Sequence, residues 1–166
     1  MDDEQRFLRA AVALARENME RGGRPFGAVV VRDGEVLATG VNETYLTCDP
    51  TDHAEMTALR AASRRLKSPD LGGSVVYASG HPCPMCMVAM RLAGVAGVVY
   101  AHSNEDGAPH GLSNAQLYAE MKDPFAGLPL RISHRPVAGG DGEGDGEGDG
   151  EGLYAEWRRR QAPGRA

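Results

Sequence analysis

The chain has 166 residues, enough for one domain with its own hydrophobic core. Six acidic residues in the stretch GGDGEGDGEGDGEG, residues 139–152, account for its net charge of −5, and the remainder is nearly neutral. This charge balance argues against a strongly basic nucleic-acid surface. The three cysteines do not suggest a disulfide framework, and we expect neither a signal peptide nor a membrane-spanning apolar run.

The hydrophobic pattern predicts alternating helices and strands. Apolar residues recur at helical spacing over 3–21, and Asp33-Gly34 is a tight-turn pair between the β-rich runs of 26–41. Residues 42–52 are predicted as a polar loop. Further helices are predicted at 53–66, 82–93 and 113–121, and further strands at 74–79, 97–101 and 130–134. This order predicts an α/β fold, a three-layer α/β/α sandwich with a mixed central sheet.

The C-terminal part has a different composition. Residues 138–152 contain mainly glycine and acidic residues, which cannot pack a core, so they are predicted to be a flexible linker. Residues 153–166 are predicted to form a helix with Tyr154 and Trp157 on one face. We expect that helix to pack on the active site of this subunit or of a partner.

Two short motifs, His53-Ala54-Glu55 and Pro82-Cys83-Pro84-Met85-Cys86, each begin a predicted helix. The spacing of the two cysteines puts both sulfurs on one helix face, and the positive helix N-terminus favours thiolates. With one imidazole they make three zinc ligands. Structural zinc is usually closed by four protein ligands, whereas catalytic zinc keeps a position for water. The motifs therefore favour a catalytic zinc, with structural zinc and a redox thiol pair as alternatives.

Glu55 supplies the carboxylate that such a reaction needs. It follows His53 by two residues, about 200° around a helix, which makes it a poor ligand for the same metal. It can still reach over the open coordination position. A glutamate there can take a proton from water and pass it to a leaving nitrogen. This division of roles fits hydrolysis of a C–NH₂ bond in an amidine-like ring.

The two motifs resemble those of the cytidine and nucleobase deaminase superfamily. Within it the sequence is most similar to bacterial guanine deaminases, with cytosine deaminases and tRNA adenosine deaminases as relatives. The closer similarity rests on Pro25-Phe26-Gly27-Ala28, on Asp49-Pro50-Thr51 and on the C-terminal aromatic pair. The resemblance implies a cytidine deaminase-like, zinc-dependent deaminase domain over residues 1–137. It also implies a homodimer in which the C-terminal tails exchange.

The resemblance also assigns site residues by position. It implies that His53, Cys83 and Cys86 bind Zn²⁺ and that Glu55 is the catalytic proton shuttle. The substrate-binding residues that it implies are Asn42, Phe26, Ala28, His81, Asn114 and Trp157. Asn42 could instead cap a turn, and Phe26 could instead belong to the core.

The sequence departs from the guanine deaminase pattern at Gly80-His81 and at Asn114. The resemblance implies an acidic residue at the position of Asn114. An amide cannot accept and pass on a proton as a carboxylate does. The sequence therefore does not decide whether the substrate is a guanine-, cytosine-, pterin- or triazine-like base. The expected protein is a cytoplasmic, homodimeric hydrolase of a small heterocyclic base, without a nucleic-acid or membrane partner. Adenosine editing in tRNA and a non-catalytic, zinc-stabilised binding module are the alternatives.

Overall fold

A computed structural model describes residues 3–122 of the chain. The helices are α1 (Asp3–Glu20), α2 (Thr44–Thr47), α3 (Ala54–Leu66), α4 (Pro84–Leu92), α5 (Asn104–Gly107) and α6 (Ala115–Glu120). The strands are β1 (Gly27–Arg32), β2 (Glu35–Val41), β3 (Val75–Gly80) and β4 (Gly97–His102), and a 3₁₀ turn covers Ala108–His110. Within residues 3–122 no helix combines the length and the apolar character of a membrane span.

The strands form one mixed sheet in the order β2-β1-β3-β4. β1 is antiparallel to both β2 and β3, whereas β3 and β4 are parallel and are joined through α4. Asp33 and Gly34 connect β1 to β2 with φ values of 54° and 77°. Positive φ at both central residues is typical of the two-residue hairpin turn that matches strand twist. The hairpin expected from this pair is therefore present.

Helices cover both faces of the sheet. On one face Val29 and Val31 pack with Phe7 and Ala11 of α1. On the other face Val30 packs in the larger core cluster, which includes residues of α3 and α4. Because β1 is central and covered on both sides, it is a continuous apolar run without polar alternation. The predicted α/β/α sandwich with a mixed sheet is confirmed.

The start of α3 lies very close to the sheet. A Cβ on Gly40 of β2 would overlap the carbonyl oxygen of Ala54 and the backbone of Ala58. Glycine at this position therefore allows the first turn of α3 to approach β2 directly. This contact sets the depth at which the residues at the beginning of the helix lie.

Residues 42–52 are not wholly loop, because Thr44–Thr47 form a helical turn held partly by a hydrogen bond from the Thr47 hydroxyl to the Glu43 carbonyl. The strand expected at 130–134 lies outside the described residues. The linker at 138–152 and the helix at 153–166, with Tyr154 and Trp157, also lie outside them.

Candidate zinc centre and active site

His53 is the N-cap residue of α3, and the turn before it is held by several hydrogen bonds. The carboxylate of Asp49 accepts from the backbone N–H and the hydroxyl of Thr51, both at 2.7 Å. The Thr51 hydroxyl lowers the pKa of Asp49. Arg60 of α3 forms an ion pair with Asp52 and donates to the Thr51 oxygen at 2.8 Å. These bonds fix the chain direction as it enters the helix, and with it the position of the His53 ring.

Cys83 is the N-cap residue of the neighbouring helix, α4. Its backbone is extended, with φ −74° and ψ 165°, and it is the last residue before the helix on the segment that comes from β3. Pro84 takes the first helical position, where the N–H that proline lacks would have no partner within the helix. Cys86 lies in the first turn, on the same side as Cys83. Both sulfurs are buried at a helix N-terminus, whose partial positive charge favours thiolate.

His53, Cys83 and Cys86 are brought together as the sequence predicts. The Cys83 and Cys86 sulfurs are 3.6 Å apart, and they lie 3.5 Å and 3.7 Å from the His53 Nδ1. Tetrahedral zinc with ordinary bond lengths needs about 3.8 Å between two sulfurs and about 3.6 Å between sulfur and nitrogen. Among the described residues these three form the single group of metal-binding side chains. The donor set and its spacing fit zinc with one position left for another ligand.

The charges of the group also suit a divalent cation. The Cys86 thiol beside it lowers the pKa of Cys83 to about 4, and the His53 ring adds to this shift. Contact with Cys83 in turn raises the pKa of His53. Cys86 is hydrogen-bonded to Cys83 and buried, and both features raise its pKa. Thiolate character therefore resides on Cys83, and a cation binding here would have to displace the remaining protons.

Glu55 lies beside this group but does not belong to it. Its carboxylate oxygen Oε2 is 3.5 Å from the Cys86 sulfur, and the residue is only 8% exposed. Burial raises its pKa, because the charged form loses hydration there. A carboxyl group in this setting can hold a proton close to the metal position.

A cavity of about 70 Å³ opens over these residues. Of the residues expected to bind substrate, Phe26, Asn42, His81 and Asn114 line it, together with His53, Glu55 and Cys83. Ala28 does not line it: the residue is completely buried in the core cluster that contains Cys83 and Cys86. Its position in central β1, paired with Ala78 of β3, explains this placement. Trp157 lies outside the described residues.

Two neighbours of the cavity were not expected from the sequence. Arg24 lines it, and the Tyr118 hydroxyl donates to the carbonyl oxygen of Pro82 at 2.6 Å, just before Cys83. The ring of Tyr118 also meets the His81 ring edge-on, with centroids 5.2 Å apart. Arg24 immediately precedes the Pro25-Phe26 pair, and Tyr118 follows Asn114 by one helical turn. These spacings were the available signals.

Comparison with known proteins agrees with this geometry. The family model for the cytidine and deoxycytidylate deaminase zinc-binding region matches residues 1–102. Guanine deaminase from Bacillus subtilis (strain 168) is 42% identical over 119 residues, which cover 71% of this chain and 76% of that protein. The X-ray structure of Bacillus subtilis guanine deaminase superposes with a TM-score of 0.75 at 37% identity, covering 81% of this chain and 86% of that chain.

A second kind of relative is similar over a shorter range. The tRNA-specific adenosine deaminase of Aquifex aeolicus (strain VF5) is 37% identical over 95 residues, 57% of this chain and 63% of that protein. The fold and the three-residue metal group together define a zinc-dependent hydrolytic deaminase acting on nucleobases or related amino-heterocycles. The chain belongs to the cytidine and deoxycytidylate deaminase zinc-binding family.

Proposed function

We propose that this enzyme removes the exocyclic amino group of a free, guanine-like base, that His53, Cys83 and Cys86 hold its zinc, and that Glu55 moves the protons. The observation that carries the proposal is the position of the buried Glu55 carboxyl, 3.5 Å from the Cys86 sulfur and on the wall of the cavity. The similarity to guanine deaminase over 71% of the chain supports this choice of base.

The residues divide the reaction among them. Zinc bound here would lower the pKa of a water molecule towards neutrality and make it a nucleophile. Glu55 would take one proton from the attacking water and deliver it to a ring nitrogen, and would then carry the second proton of that oxygen to the departing amine. Water adds its oxygen to the ring carbon, the C–N bond breaks, and the products are an oxo-heterocycle and ammonia. Burial of Glu55 suits this role, because a raised pKa lets a carboxyl group both take and release a proton.

Phe26, His81, Asn42 and Asn114 are proposed to hold the base. Phe26 and His81 bring rings to the cavity wall, which suits a flat heterocycle. The two asparagines bring amides, which recognise the polar edge of a ring without adding charge. In our proposal, Trp157 and the backbone near Ala28 complete the site.

We further propose that the enzyme is a cytoplasmic homodimer. On the outer face of α4, Val88 and Leu92 are 55% and 84% exposed, and Met87 adds to this apolar surface. Apolar side chains grouped on one helix face are typical of subunit interfaces. The free thiols of Cys83 and Cys86 are best preserved in a reducing compartment.

Ammonia release tests the proposal directly. Zinc-loaded protein is supplied with guanine, cytosine, isocytosine, pterins and triazines, and the matched Glu55→Ala variant is the control. We expect release from guanine or a close analogue by the wild type and none by the variant at equal zinc content. If zinc stays bound and neither protein releases ammonia from any ring, the chain is a zinc-stabilised binding module instead.

Editing of adenosine in tRNA is a second candidate, favoured by the 37% identity with the Aquifex aeolicus enzyme. It requires a basic path for a phosphate backbone, and apart from its acidic repeat the chain is nearly neutral. Filter binding of tRNA at several salt concentrations separates the two functions. Salt-sensitive binding with adenosine deamination would favour editing, and its absence would favour the free base.

A further inference from the structure

The Asn42 side chain is held with its amide oxygen turned towards α2. Asn42 Oδ1 accepts from the Thr44 hydroxyl at 2.9 Å and from the Thr44 backbone N–H at 3.4 Å. A backbone N–H can only donate, so the atom facing it must be the oxygen. Asn42 lines the cavity, and no hydrogen bond to another described residue engages its amide nitrogen. Asn42 therefore presents a donor.

The Asn42 backbone is fixed as well. Its N–H donates to the Phe26 carbonyl at 3.1 Å, and its carbonyl accepts from the Asn18 side chain at 2.8 Å. Asn18 also donates to the Arg24 carbonyl at 2.8 Å. With the main chain held in this way, the direction of the side-chain amide depends on Thr44.

Asn114 is held with the opposite polarity. Its amide nitrogen donates to the carbonyl oxygen of His81 at 3.2 Å, and its backbone N–H donates to the Asn104 side chain at 2.8 Å. A carbonyl oxygen can only accept, so the atom facing it must be the nitrogen. Among the described residues no hydrogen bond engages Asn114 Oδ1. Asn114 therefore presents an acceptor to the same cavity.

We infer that the cavity selects a heterocycle that offers an acceptor to Asn42 and a ring N–H to Asn114. In this reading Thr44 is a positioning residue that sets the polarity of Asn42, and Asn114 determines specificity as a neutral acceptor. The inference rests on the proposed function, because it takes this cavity to be the site of the base. An oxo-heterocycle with an unsubstituted ring N–H, such as guanine, meets both conditions. Rings lacking either group are disfavoured.

Equilibrium binding tests the inference separately from turnover. Full-length, zinc-loaded protein carrying Glu55→Gln, which we expect to slow turnover strongly, is titrated calorimetrically with matched ligands. Guanine and 2,6-diaminopurine differ at C6, where an amino group replaces the carbonyl, and at the adjacent N1, which loses its hydrogen; both keep the imidazole N–H. Guanine and its 7- and 9-methyl derivatives differ by a blocked ring N–H. We expect guanine to bind about tenfold more tightly than 2,6-diaminopurine, and about tenfold more tightly than the weaker-binding of the two methyl derivatives. A factor of this size is roughly the effect of one lost hydrogen bond.

Variants then assign the effect to residues. Thr44→Val should reduce the carbonyl-to-amino preference about fivefold while leaving the methyl preference unchanged, and Thr44→Ser should restore it. Thr47→Val, which removes another hydroxyl from the same short helix, is the matched control and should retain both preferences. Asn114→Leu should reduce only the methyl preference.

The outcomes separate this inference from the proposed function. Guanine and 2,6-diaminopurine binding within twofold of each other, or equal preferences in Thr44→Val and Thr44→Ser, would overturn the assigned polarity. Those results would not contradict the proposed function, which is tested by ammonia release from the wild type. Absence of ammonia from every base would instead refute the proposed function, whatever the binding preferences.

Discussion

The Cys86 sulfur and the Glu55 carboxylate lie 3.5 Å apart, although 31 residues separate them in the chain. The contact exists because α3 and α4 begin side by side at the same edge of the sheet. It puts an acid that can hold a proton next to the metal position without making it a member of the ligand group.

Glu55→Gln removes the proposed proton carrier and keeps the shape of the side chain. We expect kcat for ammonia release to fall by about 10²–10⁴, the usual contribution of general acid–base catalysis. Zinc content, measured by plasma mass spectrometry, should stay at the wild-type level. A variant that retains a tenth of the activity would show that the proton travels by another route.

Zinc removal should destabilise the fold, because the metal joins the starts of two helices. At a free zinc concentration 1,000 times its dissociation constant, binding to the folded state alone contributes about 4 kcal/mol. Chelation should lower the melting temperature measured by circular dichroism, and added zinc should restore it. Cys83→Ser should reproduce the loss.

Cys48→Ser is the matched control for this experiment, since Cys48 is an exposed free thiol outside the metal group. It should keep both zinc and melting temperature. An unchanged melting temperature after chelation of the wild type would mean that the helix starts are held by protein contacts alone.

Gly40→Ala should push α3 away from β2, because the added Cβ overlaps the backbone of Ala54 and Ala58. We expect the free energy of unfolding in urea to fall by about 1–3 kcal/mol, the range for overpacked cores. Zinc affinity should fall with it, since His53 begins that helix. Gly97→Ala is the control: its nearest neighbour is Val75 at 3.9 Å, and it should be tolerated.

Tyr118→Phe removes the hydroxyl that donates to the Pro82 carbonyl. The loss of one half-buried hydrogen bond should lower the free energy of unfolding by about 1 kcal/mol. It should also lower kcat/KM for ammonia release, because the bond holds α6 and Asn114 against the loop before Cys83. Tyr45→Phe, on a side chain 74% exposed, should change neither value. Equal effects of the two changes would contradict this role.

Strong local periodicity is what made most of the fold predictable. The helix expected at 53–66 is observed as Ala54–Leu66, and the one expected at 3–21 as Asp3–Glu20, because each has a clear apolar face. Such a signal is missing in residues 42–52. The four-residue helix there depends on side-chain and backbone hydrogen bonds around Glu43 and Asn42, which no hydrophobic pattern reports.

The metal-binding residues of the site could be predicted from the sequence, whereas some of the other residues around the cavity could not. The grouping of His53, Cys83 and Cys86 follows from short motifs at helix starts, so local spacing was sufficient. Arg24 lines the cavity and Tyr118 contacts Pro82 and His81 beside it through tertiary packing, and neither residue has a motif of its own. For Ala28 the expectation concerned the backbone nearby, and the two-sided burial of β1 puts the side chain of this residue in the core.

In the proposed site, the metal group and the side chains that hold the base lie, apart from His81, in different stretches of the chain. The metal group and Glu55 lie within residues 53–86, whereas Arg24, Phe26, Asn42 and Asn114 lie before or after that span. Substitutions in the flanking stretches can therefore alter which ring is admitted while the reacting atoms keep their arrangement. A protein organised in this way can acquire a new substrate through a few changes at the rim, without rebuilding its centre.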